Sequence, residues 1–313
     1  MRHRGSAPVL VFATSAKGGT GRTVTSCNIA YRLCLNGYNV AYVDFDFGFP
    51  TAGAVFEIGQ AAWGIDEGTG IHSYLLDQIG EPSRVDVTGY TDRAALRRTP
   101  RCSGRLMLFP GEVGGGEFIR CDDAMVTRAT ALLSSLLSEF DVVVVDLSVG
   151  RSVALELALA ATASDALRHN SHRWLVFLRW TYQHVLAAGG LVYGPHGLVE
   201  AGIAWGHDPA ALLASTRSVR TAVASSAPAF RDSGPEIAAW LEQQANALRQ
   251  LAAAHRIGAA MLLGETPREP LLEWREQLIL DHDVIARIAS EATVTAYANL
   301  ARRLTDPSTW DID

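Results

Sequence analysis

The residues best suited to do chemistry lie near the start of the chain, in Ser15-Ala16-Lys17-Gly18-Gly19-Thr20-Gly21-Arg22-Thr23. Lys17 is the only lysine among 27 basic residues; all the others are arginine. A composition that uses arginine everywhere else keeps a lysine here for something a compact ammonium does and a planar guanidinium does not. Glycines in such a loop let backbone N–H groups turn inward around phosphate oxygens, and a following helix adds the partial positive charge of its N-terminus. The apolar run 9–13 before the loop and the helical pattern from Val24 to Leu35 after it supply the strand, glycine loop and helix that a phosphate cradle requires.

Two acidic segments could complete a site. Val43-Asp44-Phe45-Asp46-Phe47-Gly48 ends an apolar run about 20 residues beyond the loop, and Asp141-Val142-Val143-Val144-Val145-Asp146-Leu147-Ser148-Val149-Gly150 ends a run of valines. Carboxylates that emerge at the C-terminal ends of parallel strands gather on the edge where such sheets bind ligands. There they can hold a metal-bound water or position a nucleophilic one. Read alone, each segment is equally a core strand capped by turn-forming aspartates; the company of the glycine loop favours the functional reading.

Together these segments resemble the deviant Walker A loop, switch I and Walker B–switch II strand of the MinD/ParA family of P-loop ATPases, whose loop is usually written Lys-Gly-Gly-x-Gly-Lys-Thr/Ser. The resemblance implies that Gly18, Gly19, Thr20, Gly21, Arg22, Thr23 and Val24 cradle the phosphates of ATP or ADP. It implies that Lys17 is the signature lysine, which reaches the partner's phosphates in a nucleotide-sandwich homodimer. Thr23 would be the hydroxyl ligand of Mg²⁺, Asp44 would stand near the ion through water, and Asp146 would hold a metal-bound water. Asp46 would position or polarise the attacking water, and the Gly150 backbone would approach the γ-phosphate. Residues 261–270 resemble the family's last strand and its proline loop beside the base, with Pro267, Arg268 and Glu269 as base contacts. One position departs: Arg22 stands where the family has a lysine that contacts the β- and γ-phosphates. Charge is kept and shape is not. The arginine-rich, alanine-rich composition is similar to that of actinobacterial members carrying such a variant loop.

The elements that must position these residues read as βα units. Apolar runs at 9–13, 40–44, 106–109, 142–146, 174–178 and 260–263 predict strands buried on both faces. Helical patterns fall at 23–36, 71–78, 122–139, 182–191, 235–255 and 294–304, with Asp122 and Asp123 suited to start the third. The expectation is one α/β domain over residues 1–313, a doubly wound and mostly parallel sheet with helices on both faces. Residues 80–104, polar and arginine-rich, read as a surface excursion. Residues 194–234, with Gly, Pro and His-Asp breakers, read as an irregular insertion or a replaced segment where the family would place a strand ending in an adenine-reading asparagine. With no match for that strand, the choice between adenine and guanine stays open.

A net charge of −6 argues against general affinity for nucleic acid, which phosphate neutralisation by a basic surface would supply. The absence of a membrane-span pattern and of a signal-peptide apolar region points to a cytoplasmic protein. The acidic segment 306–313 lacks the basic amphipathic character of MinD's membrane-targeting tail, so direct membrane insertion is not expected. Cys27, Cys34, Cys102 and Cys121 show no metal or disulfide spacing and read as reduced thiols, the first two on one buried stripe. His169 and His172 read as a solvated turn, Asp281-His282-Asp283 as a helix cap, and the tryptophans of the C-terminal half as core anchors. The functions compatible with the whole are an ATP-driven dimerisation switch that acts on a protein partner by slow Mg²⁺-dependent hydrolysis, or a nucleotide-binding scaffold that has lost turnover. A small-molecule ligase or kinase is disfavoured, since such relatives generally lack the Lys17 signature.

Overall fold

Strands of branched apolar residues without polar alternation need cover on both sides. The computed structural model, which describes residues 7–99, 103–223 and 235–311, provides it around an eight-stranded sheet. The strands are β1 (Val9–Ser15), β2 (Val40–Phe45), β3 (Val85–Asp86), β4 (Leu106–Phe109), β5 (Val142–Leu147), β6 (Ser171–Arg179), β7 (Thr216–Val223) and β8 (Leu262–Pro267). Their spatial order is β3-β4-β2-β5-β1-β6-β7-β8, and every pairing is parallel except that of β3 with β4 at one edge.

Alternate residues of each central strand serve opposite layers. Leu10 and Phe12 of β1 join a core built with helices α2 (Asp123–Glu139), α3 (Val153–Ala163) and α4 (Tyr182–Tyr193). Val11 and Ala13 join the opposite core, built with α1 (Arg22–Leu35) and α5 (Glu291–Thr305). Cys27 and Cys34 share the buried stripe of α1. Asp122 caps α2, its carboxylate accepting from the Met125 N–H at 2.9 Å. Cys102 lies outside the described residues.

Three expectations are corrected. The segment 194–234 is not an irregular insertion throughout: two short helices, Leu198–Ala204 and Pro209–Ala214, lead into β7, an inner strand between β6 and β8. Its remainder, 224–234, falls outside the described residues. In the arginine-rich surface excursion, the described residues 80–99 hold β3 and two short helices and are tied down by an ion pair. Arg93 donates to both carboxylate oxygens of Asp283 at 2.6 Å and to the Leu278 carbonyl at 2.7 Å. His172 is the second residue of β6, not part of a solvated turn. Of the C-terminal tryptophans only Trp174 and Trp310 are buried, whereas Trp274 is 91% exposed, because aromatic type alone does not dictate burial. Among the described residues no helix is long and apolar enough to cross a membrane.

Candidate functional site

Strand β1 delivers the glycine loop to the C-terminal edge of the sheet, and α1 begins directly after it. Gly19 and Gly21 both take φ of 70°, the left-handed region where a Cβ is strained. A Cβ at Gly18 or Gly19 would meet nothing within 4 Å, so the loop presents bare backbone. Helix α1 has no side-chain N-cap. Among the described residues no backbone N–H from Gly18 to Val24 finds an acceptor. Neighbouring strands brace this row. The Gly150 N–H, after β5, donates to the Ser15 carbonyl at 2.7 Å, and the Thr221 hydroxyl at the end of β7 donates to the Thr20 carbonyl.

Arg22 and Thr23, the first residues of α1, meet the acidic strand ends. Arg22 Nε donates to Asp146 Oδ1 at 2.5 Å and Nη2 to Asp46 Oδ2 at 2.6 Å, while Thr23 Oγ1 donates to Asp146 Oδ2 at 2.6 Å. Parallel pairing of β2 with β5 sets Asp44 beside Asp146. Asp44 accepts the backbone N–H groups of Asp46 and Ala52, each at 3.1 Å. Arg22 is 5% exposed and Asp146 is fully buried. Burial opposes the charge of Arg22, but Asp146 and Asp46 outweigh it and hold the guanidinium above its ordinary value. Burial, and next the Asp146 charge, push the Asp44 carboxyl well up. Burial also raises Asp46, against the pull of Arg22. The buried Asp146 and the half-buried Asp46 share one cation, and in this fold Arg22 is that cation.

The loop divides two clefts. One, of about 620 Å³, is lined by Gly18 to Val24, Asp46, Glu57 and Arg275. The other, of about 560 Å³, lies between Gly19–Gly21, Val24, Thr221 and the β8 loop that carries Pro267, Arg268 and Glu269. These last three thus stand across the loop from the phosphate cradle. Arg268 is paired with Glu273. Glu269 is committed to the start of α5, accepting from the Ser290 N–H at 2.9 Å and the Thr293 hydroxyl at 2.7 Å. Lys17 is exposed and lines neither cleft; its Nζ donates to Gln183 Oε1 on α4 at 3.2 Å. Sequence reasoning missed Thr221, Gln183, Glu57 and Arg275. Residues more than 150 positions apart, such as Thr20 and Thr221, meet only through the sheet order, and no local signal marks them.

The orphaned N–H row, with positive-φ glycines and a helix N-terminus behind it, fits a polyphosphate. Asp44 and Asp146 line neither cleft, so as arranged they do not present their carboxylates to a divalent cation there. Both oxygens of Asp146 accept protein donors and so do both of Asp44. Among the described residues no group of three or more His, Cys, Asp or Glu could hold a metal. Asp46 keeps its Oδ1 without a protein donor at the larger cleft.

The family model described as the CobQ/CobB/MinD/ParA nucleotide binding domain matches residues 11–261. A stretch of 39 residues is 51% identical to the septum site-determining protein MinD of Neisseria meningitidis serogroup B, covering 12% of this chain and only 14% of that protein. Among solved structures, the MinC:MinD cell division protein complex of Aquifex aeolicus superposes with a TM-score of 0.60 at 16% identity, covering 95% of both chains. The septum site-determining protein MinD of Pyrococcus horikoshii, complexed with Mg-ADP, gives 0.54 at 14% identity over 96% of this chain and 97% of that one. A plasmid partition protein of Borrelia burgdorferi bound to AMPPNP gives 0.56 at 13% identity over 95% and 98%.

Proposed function

The chain belongs to the CobQ/CobB/MinD/ParA nucleotide-binding domain family, and from that membership and the geometry of its loop we propose that it is an ATP-binding dimerisation switch. The observation that carries this reading is the uncapped row of N–H groups from Gly18 to Val24 beneath glycines of positive φ. ATP or ADP would seat its phosphates there and extend its base toward Pro267, Arg268 and Glu269 across the second cleft. Strand β7 ends in Thr221-Ala222-Val223, without an asparagine to read adenine, so its contribution at the base end is the brace from Thr221.

Lys17 supports the two-subunit part of the proposal, because its ammonium lies outside both clefts of its own chain and is held only by an exposed hydrogen bond to Gln183, which a second copy could replace. Phe49, 72% exposed, and the exposed Val149 adjoin the switch segments, and the exposed Tyr182 adjoins Gln183, so together they offer apolar surface to that copy. Linkage supplies the logic: nucleotide shifts the monomer–dimer equilibrium only as far as the dimer binds it more tightly. Asp46 would hold the attacking water through Oδ1 while Oδ2 stays on Arg22, which makes turnover slow. A second reading, a liganded scaffold without hydrolysis acting on a protein partner, is favoured by the same hold of Arg22 on Asp46. The reading places the protein in the cytoplasm, with ATP at hand.

Calorimetric titration tests the ligand class. ATP and ADP should bind with one site per chain and adenosine should not, because the cradle recognises phosphate. Equal binding of adenosine, or none of the three, would remove the phosphate cradle as the basis of function.

A further inference from the structure

The Arg22 guanidinium has three nitrogens and the fold uses two of them. Nε is on Asp146 and Nη2 on Asp46, while Nη1 is buried and has no partner among the described residues. A buried donor left without an acceptor is costly and rare. The side chain is 95% removed from solvent and borders the larger cleft beside Gly18 to Thr23, where the N–H row is also without acceptors. Two sets of unsatisfied donors thus belong to residues that line one cleft, with Nη1 lying just beneath its surface. At the same place, every oxygen of Asp44 and Asp146, the carboxylates suited to hold a metal-bound water, already accepts a protein donor.

We propose that Arg22 takes the place of the divalent cation in this site: a polyphosphate seated on the loop is met by Arg22 Nη1, while Nε and Nη2 remain on Asp146 and Asp46, so that nucleotide binds without Mg²⁺. The inference rests on the nucleotide-binding reading above and adds what neutralises the phosphate. A guanidinium suits the task better than an ammonium, since its planar fork holds two carboxylates and a third acceptor at once. It is tethered, and so is present at a high effective concentration whatever the ionic conditions. The helix N-terminus and loop dipoles supply the remaining positive field.

The experiment is a titration of the full chain with ATP and ADP in excess EDTA and again in millimolar Mg²⁺, followed by the same pair for Arg22→Lys. The wild-type dissociation constant should change by less than about threefold between the two conditions. The Arg22→Lys protein should bind about tenfold or more weakly in EDTA and recover in Mg²⁺, because an ammonium cannot span both carboxylates and a phosphate. Wild-type binding that is lost or weakened about tenfold by EDTA overturns this inference and leaves the nucleotide-binding reading intact. No binding in either condition overturns both. Should Arg22→Lys fail to give a cooperative thermal transition, the wild-type comparison alone decides.

Discussion

Arg22 carries a structural task beside the ligand-binding one proposed for it. Its loss would leave Asp146 uncompensated in the interior beside Asp44, so Arg22→Met should lower stability by about 3–5 kcal/mol in chemical denaturation. A variant as stable as wild type would show that the two carboxylates shed their charge without help. Lys17 is the opposite case. It is exposed, with one contact to Gln183, so Lys17→Ala should change stability by no more than about 0.5 kcal/mol. The same protein should lose ATP-dependent dimerisation, read by light scattering; retention of the dimer would detach Lys17 from the trans role. Asp46→Ala should slow any hydrolysis and prolong the ATP-bound dimer. An unchanged steady-state rate would remove Asp46 from the water-positioning role. The identity of these residues was legible in the sequence, because glycine spacing and aspartates at strand ends are local signals. Their pairing was not: nothing in the spacing of Arg22, Asp46 and Asp146 says that the arginine lies on the two aspartates.

Strand β7 shows where element-level reading ran out. Its sequence, Thr216-Arg217-Ser218-Val219-Arg220-Thr221-Ala222-Val223, has no apolar run, yet Thr216 and Ser218 are fully buried. The Thr216 hydroxyl donates to the Leu212 carbonyl at 2.7 Å, and the Ser218 hydroxyl to that of Met261 at 3.2 Å. Arg220 lies 3.6 Å over the Trp180 ring and Arg217 is 5.0 Å from Trp310, so guanidinium faces do the packing that aliphatic side chains do in β1. Hydropathy cannot reveal a strand of that kind, whereas β1, β2 and β5 announce themselves by being apolar on both faces. Arg93 is another arginine with an internal task. Arg93→Ala should cost about 3–5 kcal/mol by orphaning buried Asp283; urea midpoints measure it, and an unchanged midpoint would make that ion pair dispensable. His172 in β6 gives the sheet a pH dependence. Burial lowers it to about 4. The unfolded chain takes up that proton near pH 6.5. The stability gained by keeping the ring neutral is therefore complete above pH 6.5 and is lost as pH falls toward 4, by up to about 1.4 kcal/mol per pH unit. His172→Leu should flatten that slope between pH 7 and 5, and an identical slope in both proteins would clear His172 of the effect.

At the scale of the molecule, the sheet order brings the loop after β1, the aspartates at the ends of β2 and β5 and the end of β7 to one edge, so the site is a property of topology more than of any one motif. The α/β class and most of the sheet were legible from alternating apolar runs. The edge hairpin of β3 with β4 and the inner position of β7 were not, because both depend on contacts with distant chain. The central claim is that this edge binds nucleotide and that a bound triphosphate joins two copies. Mass measured by light scattering on the eluting protein tests it directly, in the nucleotide-free, ADP-bound and non-hydrolysable ATP-analogue states. A monomer in the first two and a dimer in the third is the predicted result; a mass that stays the same in all three states, with nucleotide demonstrably bound, would contradict it.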